Sequence, residues 1–182
     1  MTFEKIVTLK DGRTCLLRNG VASDGQAVLD VFNWTHDETD YLLTYSDENC
    51  FTASQEADFL QRKTDSTNTV EIIAVVDGVV AGTAGIDALG MRDKIKHRAV
   101  FGIAITKKFW GLGIGKYLME ACIECAREAG YLQLELEVVA ENERAVEMYK
   151  RAGFIEYGRN PKAFRLRTGE YQELIDMRLE LK

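Results

Sequence analysis

Several features that mark other protein classes are scarce or missing in this chain of 182 residues. It has one proline and two histidines, and it contains no internal repeat or low-complexity tract. No apolar run is long enough to span a bilayer, and the opening residues MTFEKI lack the basic and apolar regions of a signal peptide. These absences exclude collagen-like and disordered chains, and they predict a cytoplasmic protein with no membrane partner.

The charge and the cysteines exclude further classes. Acidic residues outnumber basic ones by 29 to 23, which gives a formal net charge of −6. Nucleic-acid-binding domains are usually basic, so this balance predicts no nucleic-acid partner and favours cationic partners such as amines.

Four cysteines are expected to be reduced. Cys122 and Cys125 form a C-x-x-C pair without the second pair that a zinc site needs, so we interpret them as core residues and expect no metal.

Hydrophobic residues make up 46% of the chain, enough for the core of a single α/β domain over residues 1–182. The periodicity predicts the order β-α-α-β-β-β-α-β-α-β-β, beginning with a strand at 14–18. Ser23 and Gln26 have the spacing of a capping box that would begin the first helix. Residues 101–105, FGIAI, are almost all apolar, as in a strand that is buried on both faces.

A glycine-rich turn, WGLGIG at 110–115, connects this strand to the clearest amphipathic helix of the chain. The first N–H groups of a helix lack partners within the helix, and glycines let a ligand approach the backbone, so the turn predicts an anion site. Tyr117 replaces the Ser or Thr of a P-loop, and Gly115 comes one residue too early for a dinucleotide-binding motif. A turn that only packs the helix against the strand is the structural alternative.

Two stretches together resemble the signatures of the GNAT (GCN5-related N-acetyltransferase) family. The segment 101–115 is similar to the acetyl-CoA-binding strand and pyrophosphate loop of that family. The segment 142–154, NERAVEMYKRAGF, is similar to its second signature of Asn, Arg-Ala, a tyrosine and Gly-Phe. The close resemblance covers about residues 97–157. In much of the family the loop begins with Gln or Arg, where this chain has Trp110 or Lys108.

The resemblance implies a GNAT fold, a mixed and mostly antiparallel sheet flanked by helices. The sheet would be splayed between the strand ending at Ile105 and the strand starting near Leu132, which leaves a slot for the pantetheine arm of acetyl-CoA. The backbones of Ile103, Ala104 and Ile105 would pair with that arm, and Asn142 would contact it or only cap its helix. The pyrophosphate would be held by the amides of Trp110, Gly111, Leu112, Gly113, Ile114, Gly115 and Lys116.

The resemblance also suggests a catalytic role for Tyr149. A phenol near the sulfur can protonate the leaving thiolate, although an aromatic on the apolar stripe of a helix explains Tyr149 as well. The strand at 97–106 lacks the glutamate that some family members use as the general base. Glu135 and Glu137, on the polar face of the next strand, are the candidates, with His97 and a chain of water molecules as alternatives.

The function implied is direct transfer of an acetyl group from acetyl-CoA to a primary amine of a small molecule or peptide. A non-catalytic acyl-CoA sensor is the alternative from another class. Both a monomer and a homodimer are compatible with the sequence. Four basic residues lie around Pro161: Arg159, Lys162, Arg165 and Arg167. They suggest a solvated loop, a lip over the acceptor site or a clamp for the 3′-phosphate of CoA.

Overall fold

The computed structural model describes residues 1–181, which form one sheet of eight strands and four α-helices. The strands are β1 (Glu4–Thr8), β2 (Thr14–Asn19), β3 (Val70–Val76), β4 (Val79–Ala88), β5 (Arg98–Ile105), β6 (Gln133–Val139), β7 (Ile155–Arg165) and β8 (Tyr171–Glu180). The helices are α1 (Gly25–Glu38), α2 (Ala53–Asp65), α3 (Ile114–Glu128) and α4 (Glu143–Arg151). Within the described residues no helix is both long and apolar enough to cross a membrane.

The strand order across the sheet is β1-β2-β3-β4-β5-β6-β8-β7. All neighbours are antiparallel except β5 and β6, which are parallel because α3 connects them as a crossover. This is the mixed, mostly antiparallel sheet that the resemblance implied, so the predicted fold class is confirmed.

The pairing between β5 and β6 is short. Only Arg98–Val100 on β5 pair with Gln133–Glu135 on β6. Beyond these residues the two strands diverge, and each continues to pair with its outer neighbour, β4 or β8. The predicted splay is therefore present, and it opens at Phe101.

Helices cover both faces of the sheet. Ile72 on β3 packs into the larger core with α3 and α4, whereas the next residue, Ile73, packs with α1 and α2 on the opposite face. Both residues are completely buried. Cys122 and Cys125 are free and completely buried on the core stripe of α3, which confirms their interpretation as packing residues.

The start of the first helix differs from the prediction. Ser23 and Gln26 form no capping box; α1 begins at Gly25, and Ser23 lies in a short 3-10 turn before it. The carboxylate of Asp24 accepts hydrogen bonds from the N–H of Val21 (2.9 Å) and the guanidinium of Arg18 (2.6 Å). This carboxylate therefore organises the turn in place of the predicted serine hydroxyl.

Three other expectations are corrected. Strand β1 was not predicted, because it is an edge strand whose residues are nearly all exposed or half-buried and lack a clear alternation. Strand β5 is not buried on both faces: Gly102 is exposed, and Ile103 is only half-buried, since the splay removes a neighbour. The segment around Pro161 is strand β7 rather than a loop, with an irregular register between Asn160 and Phe164 that accommodates the proline.

Candidate active site

The splay opens into a cleft of about 1330 Å³. Strand β5 and the glycine turn line one side of this cleft, and strand β6 and helix α4 line the other. A volume of this size exceeds the usual range for sites of drug-sized ligands and suits a long, extended ligand.

The backbone of β5 presents unpaired groups to the cleft. The N–H of Thr106 donates to Ala81 on the β4 side, and the C=O of Arg98 accepts from Leu89 on the same side, both at 3.0 Å. Because partners alternate along an antiparallel strand, the even-numbered residues of β5 are paired with β4. The odd-numbered residues therefore direct their N–H and C=O groups toward the splay.

Two of the three predicted cofactor-binding residues of β5 are thus available to a ligand. Ile103 and Ile105 face the splay beyond the last pairing with β6, whereas Ala104 stands opposite Thr83 and its backbone groups face β4. An extended ligand that lies along β5 would meet these free groups as an added strand does. Ala104 contributes to the lining but has no free backbone groups to offer.

The glycine turn leaves the first turn of α3 open to a ligand. Gly111 and Gly113 have φ angles of +86° and +95°, a conformation that other residues rarely adopt. Gly113 is the N-cap residue of α3, and within residues 1–181 no side chain accepts a hydrogen bond from the N–H groups that follow it. The turn is held in place from outside, where the N–H of Lys10 donates to the C=O of Leu112 at 3.1 Å. Free N–H groups and the positive end of the helix dipole make this turn suitable for an anion.

Trp110 stands at the junction of β5 and the turn. Its indole N–H donates to the C=O of Ile105 at 2.6 Å. The amine of Lys107 and the guanidinium of Arg144 lie 5.8 and 5.7 Å from the centre of the indole ring. The structure therefore places Trp110, rather than Lys108, at the start of the loop in the cleft.

Asn142 lies in the lining of the cleft and is the N-cap residue of α4. Its Oδ1 accepts a hydrogen bond from the N–H of Ala145 at 3.3 Å. The capping role expected from its position is confirmed, while contact with the cofactor stays a prediction.

Tyr149 is 6% exposed and lines the cleft from α4. Its ring packs edge-on against Phe101, with centroids 6.1 Å apart, and at a tilt against Phe154, with centroids 5.8 Å apart. Burial raises the pKa of its phenol above the ordinary tyrosine value. Within residues 1–181 the hydroxyl makes no hydrogen bond, so it is free to serve a group in the cleft.

The two glutamates of β6 are in different surroundings. Glu135 is buried, and its carboxylate is held by two hydrogen bonds from the guanidinium of Arg98, one of them at 2.6 Å between Nη2 and Oε2. The Tyr157 hydroxyl lies 3.5 Å from the same carboxylate. Glu137 is exposed in the cleft and has no partner within the part of the chain that the structure describes. His97 precedes the paired end of β5, where its C=O accepts from Gln133, and it is not part of the cleft lining.

The cleft is also lined by residues of the loop between α1 and α2, residues 39–52. Arg167, in the turn between β7 and β8, reaches this loop: its guanidinium is 2.7 Å from Asp47 and 4.1 Å from the centre of the Tyr45 ring. The sequence did not identify several apolar lining residues of the cleft, although the apolar run at 41–43 in a polar stretch was a signal. They are Tyr41, Leu42, Leu43, Leu89, Phe164 and Leu174.

Comparisons with known proteins agree with this geometry. A model of the acetyltransferase (GNAT) family matches residues 28–154. L-amino acid N-acetyltransferase AaaT of Escherichia coli (strain K12) is 33% identical over 118 residues, which cover 64% of this chain and 72% of that protein. The name of this relative describes an enzyme and gives no support to a non-catalytic sensor.

Two solved structures share the fold. An acetyltransferase of the GNAT family from Streptococcus pneumoniae has a TM-score of 0.87 at 27% identity, over 91% of this chain and 99% of its own. A protein of Salmonella typhimurium that was solved with its cofactor acetyl-CoA has a TM-score of 0.81 at 17% identity, over 91% and 93% of the two chains. The predicted resemblance is confirmed: this chain belongs to the GNAT family, and it is an acyltransferase that uses acetyl-CoA to acetylate an amine.

Proposed function

We propose that residues 1–182 act as one N-acetyltransferase domain that passes the acetyl group directly to a primary amine of a small molecule or peptide. The observation that carries this proposal is the splay, because it brings free backbone groups of β5, the phenol of Tyr149 and the carboxylate of Glu137 to one cleft. No side chain needs to carry the acetyl group if both substrates meet there.

The residues of the cleft fit acetyl-CoA. Ile103 and Ile105 offer backbone groups to the pantetheine arm, and the open N–H groups from Gly113 to Lys116 offer donors to the pyrophosphate. Acetyl-CoA supplies an acetyl group activated as a thioester. The chain contributes the alignment of that group and the movement of two protons.

The first proton leaves the amine. An amine is protonated at neutral pH and must lose a proton before its nitrogen can attack. We assign this step to Glu137, because its carboxylate is exposed in the cleft and free of partners within residues 1–181. Glu135 is a positioning residue in this scheme, because its charge is already neutralised by Arg98.

The second proton reaches the leaving sulfur. As the bond between the amine nitrogen and the carbonyl carbon forms, the bond from that carbon to sulfur breaks, and the thiolate requires a proton. We assign this proton to the hydroxyl of Tyr149, whose raised pKa keeps it protonated. The nitrogen releases its second proton as the amide forms, and this proton restores the phenol of Tyr149. Its aromatic neighbours, Phe101 and Phe154, hold the ring in place.

The acceptor end suggests an amine with an apolar body. Leu42, Leu43, Phe164 and Leu174 line the same cleft as the carboxylate of Glu137. The negative charge of Glu137 attracts a cationic amine. Because the relative from Escherichia coli is named for L-amino acids, amino acids and peptide N-termini are the first acceptors to test. We further propose that the protein works in the cytoplasm, where its cysteines stay reduced.

A screen of amines tests this proposal. Amino acids, peptides, polyamines and aminoglycosides would be incubated with acetyl-CoA, and release of free thiol would be followed. Turnover with at least one primary amine is expected, and calorimetry should show binding of acetyl-CoA. Binding without turnover for any amine would favour the sensor alternative, and no binding at millimolar concentration would overturn the proposal.

A further inference from the structure

Trp110 connects the two sides of the cofactor cleft. Through its indole N–H it bonds to the C=O of Ile105 at the end of β5. Through its ring it contacts the guanidinium of Arg144, which lies in the first turn of α4. Strand β5 and helix α4 belong to opposite sides of the splay, so these two contacts span the mouth of the cleft.

The hydrogen bond has a consequence for the ligand-facing groups of β5. Ile105 directs its backbone toward the splay, where its C=O would otherwise be an unsatisfied acceptor. The indole N–H satisfies this acceptor and leaves the N–H of Ile105 and both backbone groups of Ile103 for the cofactor. A ligand that lies along β5 therefore finds the C=O of Ile105 already occupied.

The ring contacts set the position of the loop. Arg144 reaches the indole from α4, across the cleft, whereas Lys107 reaches it from the short 3-10 turn on the same side as Trp110. The two cations lie at nearly equal distances from the ring, at 5.7 and 5.8 Å. Only the contact with Arg144 links the two sides of the cleft. A comparison of Arg144 with Lys107 therefore distinguishes a contact across the cleft from local packing of the indole.

We propose that Trp110 and Arg144 form a clip that positions the glycine turn and α4 around acetyl-CoA. The inference rests on the proposed placement of the cofactor in this cleft. Trp110 is a positioning residue: it acts on affinity for acetyl-CoA through Ile105 and Arg144, and the chemical step does not depend on it.

Binding of acetyl-CoA to single variants tests the clip. Trp110→Ala and Arg144→Ala should each weaken binding about tenfold, which corresponds to the loss of one good polar contact. Trp110→Phe keeps an aromatic face and loses the N–H, so its loss should be smaller, about threefold. Lys107→Ala is the matched control and should bind acetyl-CoA within twofold of the parent. In the Trp110 and Arg144 variants KM for acetyl-CoA should rise more than kcat falls, whereas Lys107→Ala should leave both within about twofold of the parent.

A double variant and a fluorescence titration complete the test. If the two residues act as one clip, Trp110→Ala with Arg144→Ala should bind little more weakly than either single variant. Trp34 is the only other tryptophan, and it lies half-exposed on α1, so Trp34→Phe leaves Trp110 as the sole indole. Its emission should then change on addition of acetyl-CoA.

The outcomes separate this inference from the proposed function. Parent-like affinity in Trp110→Ala, equal losses in Lys107→Ala and Arg144→Ala, or unchanged Trp110 emission would overturn the clip and leave the acetyltransferase intact. A lower melting temperature with parent-like affinity would also overturn it, because the indole would then serve packing alone. Failure of the parent itself to bind acetyl-CoA would overturn the clip and the proposed function together.

Discussion

Arg98 and Glu135 are joined side chain to side chain by two hydrogen bonds between neighbouring parallel strands, at the point where β5 and β6 begin to diverge. The side chain of Glu135 is 8% exposed, and the side chain of Arg98 is 32% exposed. Both oxygens of this carboxylate are therefore occupied by the guanidinium. The pair stabilises the last paired residues of the two strands, and it leaves the next glutamate, Glu137, as the candidate base.

Replacing Glu137 by Gln should reduce kcat/KM for the amine by about 10²-fold, in the range of a lost general base. The melting temperature should not change, because Glu137 is exposed and has no partner within residues 1–181. Steady-state kinetics on an accepted amine, with saturating acetyl-CoA, provides the measurement.

Glu135→Gln is the matched control, two residues away on the same face of β6. It removes the charged partner of Arg98 and should lower the free energy of unfolding by about 1–3 kcal/mol. Denaturant unfolding measures this loss. A folded Glu135→Gln variant without activity, beside a fully active Glu137→Gln variant, would reverse the two assignments.

Tyr149→Phe should slow the chemical step by about a hundredfold or more, as expected for a lost general acid. The ring keeps its contacts with Phe101 and Phe154, so stability and acetyl-CoA affinity should change little. Tyr149→Ala, in contrast, should cost about 3–5 kcal/mol through the cavity that it creates. The rate must be measured where chemistry limits turnover; full activity of the Phe variant there would remove Tyr149 from the mechanism.

The contribution of Tyr149 to the stability of the fold should depend on pH in one direction. Burial raises the pKa of its phenol above the ordinary value of about 10, so the protonated form that donates persists in the folded protein above that pH. Its contribution to stability is fully present below the unfolded pKa of about 10 and is lost as pH rises toward the folded pKa. The difference in unfolding free energy between the parent and Tyr149→Phe should thus be constant from pH 7 to 9 and shift against the parent above about pH 10.

The raised pKa of the phenol should also be visible in the pH dependence of kcat. Between pH 8 and 10 ionisation of Tyr149 should cause no fall in kcat, so the parent and Tyr149→Phe should have pH profiles of the same shape. A limb with an apparent pKa near 10 that this substitution abolishes would mean that the phenol ionises as an exposed tyrosine does.

Gly113→Asp should abolish acetyl-CoA binding in calorimetry, because it adds negative charge and a side chain where the pyrophosphate is expected. Gly113 has a φ angle of +95°, so some loss of stability is also expected from backbone strain. Gly130→Asp provides the control: Gly130 follows the other end of α3, has a φ angle of +80°, and has open space around its Cβ position. It should lose a similar amount of stability and still bind acetyl-CoA; parent-like binding by Gly113→Asp would show that the phosphate loop is elsewhere.

The sequence predicts best where the determinants are local. Strand β3, from Val70 to Val76, is a run rich in β-branched residues, and Asp77-Gly78 after it forms the hairpin turn that this dipeptide favours, with φ angles of +51° and +78°. The apolar stripe of α3 and the cap at Asn142 depend on spacings of three or four residues, and both are present. Each of these features follows from neighbours along the chain, so one sequence is enough to identify it.

The features that were missed depend on partners outside their own helix or strand. Strand β1 exists because β2 offers it an edge, and its own residues carry no alternation. Asp24 organises the start of α1 because Arg18, on a preceding strand, reaches its carboxylate. Neither contact has a signature in local periodicity.

The sequence by itself determined the glycine turn, the helix that follows it and the family to which the chain belongs, because those depend on residue type and short spacing. Only the tertiary structure decided which groups remain free in the cleft. Glu135 and Glu137 are equivalent in the pattern of β6, and they differ because Arg98, 37 residues earlier, reaches only the first. Ile103 and Ala104 are adjacent and apolar, yet only Ile103 faces the splay, because the register with β4 assigns the backbone of Ala104 to the sheet.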